Sequence, residues 1–151
     1  MAYVFVERFT MSIWKKSFSL EGLNNGMKNT LCEHLQMHVT EVGDDYVIGT
    51  MPVDSRTTQP MGLLHGGASV ALAETLGSLA ANLAVDQTCY CVGLDINANH
   101  IQSMKSGLVT AKASAKHIGR STQVWEITLQ DEAGRLVCIS RLTMAVKRIS
   151  G

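Results

Sequence analysis

The run Gly66-Gly67-Ala68-Ser69-Val70-Ala71-Leu72-Ala73-Glu74-Thr75-Leu76-Gly77-Ser78-Leu79-Ala80-Ala81-Asn82-Leu83-Ala84-Val85 decides the reading of this chain. Its twenty residues carry one charge, Glu74. The length would span a bilayer. However, the Ala, Gly, Ser and Thr content is weakly hydrophobic, a carboxylate sits near the centre, and no Lys/Arg cluster flanks the run. A helix that is apolar all round and lies outside a membrane is a buried helix, so the rest of the chain has to wrap it.

Downstream, Val109, Ala111, Ala113 and Ala115 alternate with Thr110, Lys112, Ser114 and Lys116, the period of a strand with a small-residue face. Gln123, Trp125, Ile127 and Leu129 alternate with Val124, Glu126, Thr128 and Gln130. In a last strand Leu136, Cys138, Leu142, Met144 and Val146 share a face, with Ser140 the exception. Gly107, Gly119 and Asp131-Glu132-Ala133-Gly134 mark short turns, and short turns join antiparallel neighbours. Upstream, Gln36 to Val42 and Tyr46 to Val53 flank Gly43-Asp44-Asp45 and read as a hairpin. Ser19 is placed to cap a short helix ending near Asn24-Asn25-Gly26, and Asn29 to Leu35 reads as a second short turn. The expected class is α+β: an antiparallel sheet of five to six strands wrapped around one long buried helix.

At 151 residues the chain suits one domain, and no repeat or Pro/Gly/Ser linker divides it. Residues 1–11 read as an N-terminal extension, with Met11 a second plausible start, and residues 12–148 as the domain. Thirteen Lys+Arg balance thirteen Asp+Glu, so no global field draws the protein to nucleic acid or to an anionic membrane. Function has to come from a local site. The four cysteines form no Cys-x-x-Cys pair, and with the five histidines they show no zinc spacing, so no metal is expected. The first residues lack the basic and apolar regions of a signal peptide, and the expected location is the cytoplasm.

Glu74 is the first candidate for chemistry, because a carboxylate on an apolar helix is costly unless it has partners or a task. His65-Gly66-Gly67 sits just before the helix, where unpaired N–H groups and the helix dipole favour developing negative charge. Glu74 lies nine residues beyond His65, about 13 Å along a helix axis. One chain cannot easily bring both to one carbonyl carbon, so a site using both predicts a dimer with its helices antiparallel about a two-fold axis. From Ile96 to Trp125 there is no Asp or Glu, while Lys105, Lys112, Lys116, Arg120, His100 and His117 fall inside. That basic window either binds the phosphates of a nucleotide-bearing carrier or is a solvated strand face. With Trp125 its single aromatic, it is poorly suited to stacking nucleic-acid bases.

Gln59-Pro60-Met61-Gly62-Leu63-Leu64-His65-Gly66-Gly67-Ala68-Ser69, followed by Ala73-Glu74-Thr75-Leu76-Gly77-Ser78, resembles the hotdog-fold acyl-CoA thioesterases of the PaaI-like type. The similarity runs from about Ser12 to Val146. It is closest to the branches comprising 1,4-dihydroxy-2-naphthoyl-CoA hydrolases of menaquinone synthesis and enterobactin proofreading thioesterases. Asn99 within Asp95-Ile96-Asn97-Ala98-Asn99-His100 favours the first branch.

The resemblance implies hydrolysis of an aromatic, hydroxyaryl acyl-CoA, with a carrier-protein thioester as the alternative. It implies Glu74 as the catalytic carboxylate, acting as nucleophile or as general base on water. It also implies that the Gly66 amide polarises the thioester carbonyl with His65 beside it, and that Gln59 orients substrate or water. Ser78 then lines the same cavity, while His100, Gly119, Arg120 and Ser121 bind the CoA nucleotide. Gln102 departs from the expected Arg, with Lys105 or Lys112 to compensate. No cofactor is implied, CoA being part of the substrate, and the assembly implied is a homodimer with shared sites, paired into a tetramer. A non-catalytic acyl-CoA-binding hotdog module would lack the acidic residue, and an enoyl-thioester hydratase would need an Asp/His pair near the helix.

Overall fold

The computed structural model describes residues 11–149, so the expected extension, apart from Met11, lies outside the described residues. Two short helices come first, α1 (Leu20–Asn25) and α2 (Leu31–His34). Ser19 Oγ accepts the Gly22 N–H and Thr30 Oγ1 accepts the Cys32 N–H, so each helix has a hydroxyl N-cap. The expected hairpin follows as β1 (His38–Val42) and β2 (Tyr46–Pro52), antiparallel.

The long helix is α3 (Gly66–Leu83). It stops two residues short of Val85, with Ala84 as C-cap, and it begins at Gly66, so the two glycines open the helix rather than precede it. Four longer strands complete the fold: β3 (Cys89–His100), β4 (Leu108–Ile118), β5 (Thr122–Gln130) and β6 (Leu136–Arg148). All six strands form one antiparallel sheet in the order β1-β2-β4-β5-β6-β3. The inner face packs Val47, Val109, Ala111, Trp125, Ile127 and Leu142 against Leu72, Ala73, Leu76 and Ala80 of α3, all buried. Each fully buried leucine contributes about 2–3 kcal/mol from water exclusion alone.

Small residues set the helix-to-sheet distance. A Cβ at Gly77 would stand 2.6 Å from Leu142 Cδ2, so a larger residue would have to displace that fully buried side chain in the packed core. The alanine face expected on β4 is present, with Ala111 and Ala113 fully buried. On β6 Ser140, the polar exception in the alternation, is 2% exposed and lies on the inner face beside Cys138 Sγ, whereas Leu136, at the strand's start, departs from the expected face at 37% exposure.

The carbonyl end of α3 is closed by residues 13–16. Leu83 O accepts the N–H of both Lys15 and Lys16, so a carbonyl that the helix leaves without an internal partner is satisfied, and Lys16 Nζ donates to Cys89 O at the start of β3. Trp14 stacks on buried Trp125, with ring centroids 6.2 Å apart, and donates Nε1–H to Gly43 O at 2.6 Å. Among the described residues no helix is long and apolar enough to cross a membrane.

β3 has no counterpart in the periodicity. Among the described residues it is the sheet edge, paired only with β6, and its alternation is interrupted by a bulge where the register passes from Gly93↔Met144 to Asp95↔Thr143. Tyr90, Val92 and Leu94 are exposed along it.

Candidate active site

The N-terminus of α3 forms one half of the site. His65 is the N-cap: its Nδ1 accepts the Gly67 N–H at 2.8 Å and its own N–H donates to Thr57 O at 2.8 Å. Thr57 is buried and donates Oγ1–H to Pro52 O, which ties the loop to the end of β2. The ring therefore holds the helix start in place. Gly66 N–H, the first of the helix, has no protein acceptor among the described residues. A Cβ at Gly66 would stand 2.7 Å from His100 Nε2, so glycine there lets the imidazole close over the helix start.

Gly66 opens into a cavity of about 350 Å³ that also receives Gln59, Ser69, His100 and Gln102, with Leu63, Leu64, Ile101 and Val137 as apolar wall. Gln59 Oε1 accepts the Met61 N–H, which leaves its Nε2 for a ligand. Thus Gln59, Gly66 and His100, 41 positions apart at the extremes, share one space. At its polar end Gln102 donates Nε2–H to Asp131 Oδ2 at 3.3 Å. The carboxylate of Asp131 also accepts the N–H groups of Ala133 and Arg135 and the Arg135 Nε–H. The Arg135 backbone N–H, with the Arg135 guanidinium adding to it, holds the Asp131 carboxyl below its usual range against the opposing effect of burial.

Glu74 sits midway along α3, half-buried, and its carboxylate makes no hydrogen bond or ion pair among the described residues. Its Oε1 lies against β3, where a Cβ at Gly93 would come within 2.7 Å. Ser78, one turn on, donates to Met144 Sδ at 3.7 Å. From Gly66 to Glu74 is eight residues, about 12 Å of helix rise, so the carboxylate and the free amide face different regions of the same chain.

The third group lies at the carbonyl end of α3. Gly119 and Arg120, at the β4–β5 turn, line a cavity of about 440 Å³ together with Lys15, Arg148, Val85 and Ile118. Ser121 is not in its lining; its carbonyl accepts the Val146 N–H. Lys15 and Arg148 are the cations that sequence reading misses. Both lie outside the acid-free window, and only the fold brings residues so far apart in sequence to one mouth. Lysines inside the window are engaged elsewhere. Lys112 Nζ stands 4.0 Å over the Tyr46 ring on the outer face of the sheet, and Lys116 pairs with Glu126 at 2.8 Å. Lys105 lines a separate cavity with Asp131 and Arg135. The expectation that Lys112 replaces an Arg at 102 is therefore corrected: an outward-facing strand position does not reach either cavity.

Comparison with known proteins adds to this geometry. Residues 61–138 match the family model described as Thioesterase superfamily. A Vibrio cholerae protein with the provisional name of an esterase is 64% identical over 91% of this chain and 92% of its own length. The proofreading thioesterase EntH of Cronobacter turicensis and the 1,4-dihydroxy-2-naphthoyl-CoA hydrolase of Escherichia coli are 50% and 48% identical, each over 89% of this chain and 98% of its own length. Among solved structures, a Haemophilus influenzae thioesterase superposes with a TM-score of 0.90 at 49% identity, covering 92% of this chain and 97% of that one.

Proposed function

The chain belongs to the Thioesterase superfamily and is a thioester hydrolase, and we propose that its substrate is an aromatic, hydroxyaryl acyl-CoA such as 1,4-dihydroxy-2-naphthoyl-CoA. The observation that carries the reading is the Glu74 carboxylate, unpartnered on an otherwise apolar helix. A half-buried charge with no internal partner costs stability, and a reacting carbonyl supplies the task that justifies it. In the proposed reaction the thioester carbonyl accepts a hydrogen bond from the Gly66 N–H, which stabilises the developing oxyanion. Glu74 delivers the oxygen, either its own or that of a water it deprotonates. The C–S bond breaks and CoA leaves as the thiolate, which takes up a proton; attack by water gives the acid directly, whereas attack by the Glu74 oxygen gives an acyl-Glu74 anhydride that water then hydrolyses to the acid and the free carboxylate. Gln59 orients the reacting group through its free Nε2, and Ser78 lines the acyl space. Water is the only co-substrate; CoA enters with the acyl group.

The two halves of the site come together in a dimer. β3 presents an unpaired edge bearing Tyr90, Val92 and Leu94, and a second copy pairing antiparallel along it removes that edge. A register that sets Gly93 of one copy opposite His100 of the other brings Glu74 of the first to Gly66 of the second. Two such dimers then associate as a tetramer.

The Lys15, Arg120 and Arg148 mouth supports a phosphate-bearing carrier, with His100 at the opposite cavity contributing to nucleotide or pantetheine contacts. It favours CoA, with its several phosphates, over the aryl carrier-protein thioester suggested by the resemblance to the proofreading enzyme. This reading places the enzyme in the cytoplasm, in menaquinone synthesis, with Cys32, Cys89, Cys91 and Cys138 remaining thiols. A thiol-release assay across aryl-CoA, short aliphatic CoA and aryl carrier-protein thioesters tests it. The expected order is aryl-CoA first, and a preference for short aliphatic CoA or for the carrier protein overturns the substrate assignment.

A further inference from the structure

Gly93 has no obvious structural reason to be glycine. It stands in β3 opposite buried Met144, on the helix-facing side of the strand, and its φ lies outside the left-handed region. A Cβ built there meets only two heavy atoms within 4 Å beyond its chain neighbours, Glu74 Oε1 at 2.7 Å and Glu74 Cδ at 3.9 Å. No backbone, no core side chain and no turn excludes an alanine; the carboxylate alone does. Immediately after Gly93 the ladder with β6 slips, Leu94 is the extra residue, and it projects outward at 61% exposure. Bulges of this kind bend a strand locally and re-aim the residues beside them.

We infer that Gly93 is a positioning residue for the thioesterase reaction: its missing side chain leaves the space at the β3 bulge in which the Glu74 carboxylate lies against the strand. The inference rests on the proposed catalytic role of Glu74. The carboxylate is the mobile end of a flexible side chain, so a methyl group at 93 displaces it while the surrounding fold stays put. At the β3 edge that displacement carries the carboxylate away from the place where the second copy's Gly66 amide is proposed to hold the carbonyl. A shift of this size at a reacting group lowers turnover far more than binding.

Gly93→Ala tests this on the full-length protein, with steady-state thioester hydrolysis, thermal melting and native mass measured together. The expected result is a kcat reduced by about tenfold to a hundredfold with KM within about twofold. Melting temperature and native mass should match the unsubstituted protein, because an ordinary φ accepts alanine without strain. Glu74→Asp supplies the second arm. Its carboxylate is one methylene shorter, so in the Gly93→Ala background it should recover part of the lost kcat, although alone it lowers kcat. Unchanged kcat in Gly93→Ala overturns the inference, as does a loss that tracks a lowered melting temperature or a double variant whose loss is the product of the two single losses. If Glu74→Gln also left hydrolysis unchanged, the reading of Glu74 itself would fall, which is a separate outcome from failure at Gly93 alone.

Discussion

Gly66 and Glu74 lie on one helix eight residues apart, and each meets a different part of β3: His100, its last residue, stands against Gly66, and Gly93, beside the mid-strand bulge, against Glu74. The helix rise puts about 12 Å between them along its axis. A carbonyl activated by one and attacked through the other has to lie within about 3 Å of both groups. In the proposed reaction the Gly66 half of one copy therefore meets the Glu74 half of another. β3, at the edge of the sheet among the described residues and carrying both contacts, is the element along which the proposed dimer pairs.

Subunit complementation follows. Glu74→Gln and Gln59→Ala each disable every site in their own homodimers. In a mixed population, half of the dimers are hybrids, and half of the hybrid sites contain neither substitution, so about a quarter of normal activity returns on co-refolding. Activity that stays at the level of the separate variants means each chain carries a complete site.

Glu74→Gln by itself should lower kcat by about 10²–10⁴-fold, the range for a lost acid–base or nucleophilic group. The carboxylate has no internal partner to lose, so melting temperature should be equal or slightly raised and thioester binding retained. Turnover within a few-fold of the unsubstituted enzyme refutes the role; a melting temperature lowered by several degrees indicates a structural one.

The fold was legible where burial imprints itself on periodicity. The charge-free run around Glu74 announces a wrapped helix, and β4 and β5 alternate because one face packs on α3 while the other meets solvent. β3 was not legible, because an edge strand with a bulge has little one-sided burial to leave a period. Ser140 is the polar exception on an apolar face, and what accommodates it there, the Cys138 thiol beside its hydroxyl, is a contact that composition does not signal. Of the site, Glu74 stood out as a charge in an apolar helix and Gly66 as a glycine at a helix start. Gln59 and His100 were carried by family resemblance, since only folding brings them into Gly66's cavity. Lys15 and Arg148 had no local signal at all.

Those two cations give a prediction of their own. Lys15→Ala and Arg148→Ala should each raise KM for a CoA thioester by a few-fold, and together by about tenfold, as expected for partly exposed phosphate contacts. Raised salt should weaken the difference. On a truncated pantetheine thioester, which lacks the nucleotide, both variants should match the unsubstituted enzyme. An equal loss on full-length and truncated substrates places the two cations outside the nucleotide contact.

Asp131 links the Gln102 end of the cavity to the β5–β6 turn, and its acid response is a test of that link. The carboxyl is held below its ordinary 3.8, first by the Arg135 N–H and further by the Arg135 side chain. A group whose folded value is depressed stabilises the fold fully above its unfolded value and loses that contribution as pH falls through the folded one. Asp131→Asn should therefore melt below the unsubstituted protein at neutral pH. The gap should begin to narrow near about pH 4 and close at lower pH, as Asp131 itself takes up a proton. Because Gln102 loses its acceptor charge, the substitution should also raise KM at neutral pH while leaving kcat close to normal. Melting curves recorded from about pH 7 down to pH 3 decide the matter: a gap that stays constant over that range shows that the carboxylate's charge contributes nothing to the turn or to the cavity it supports.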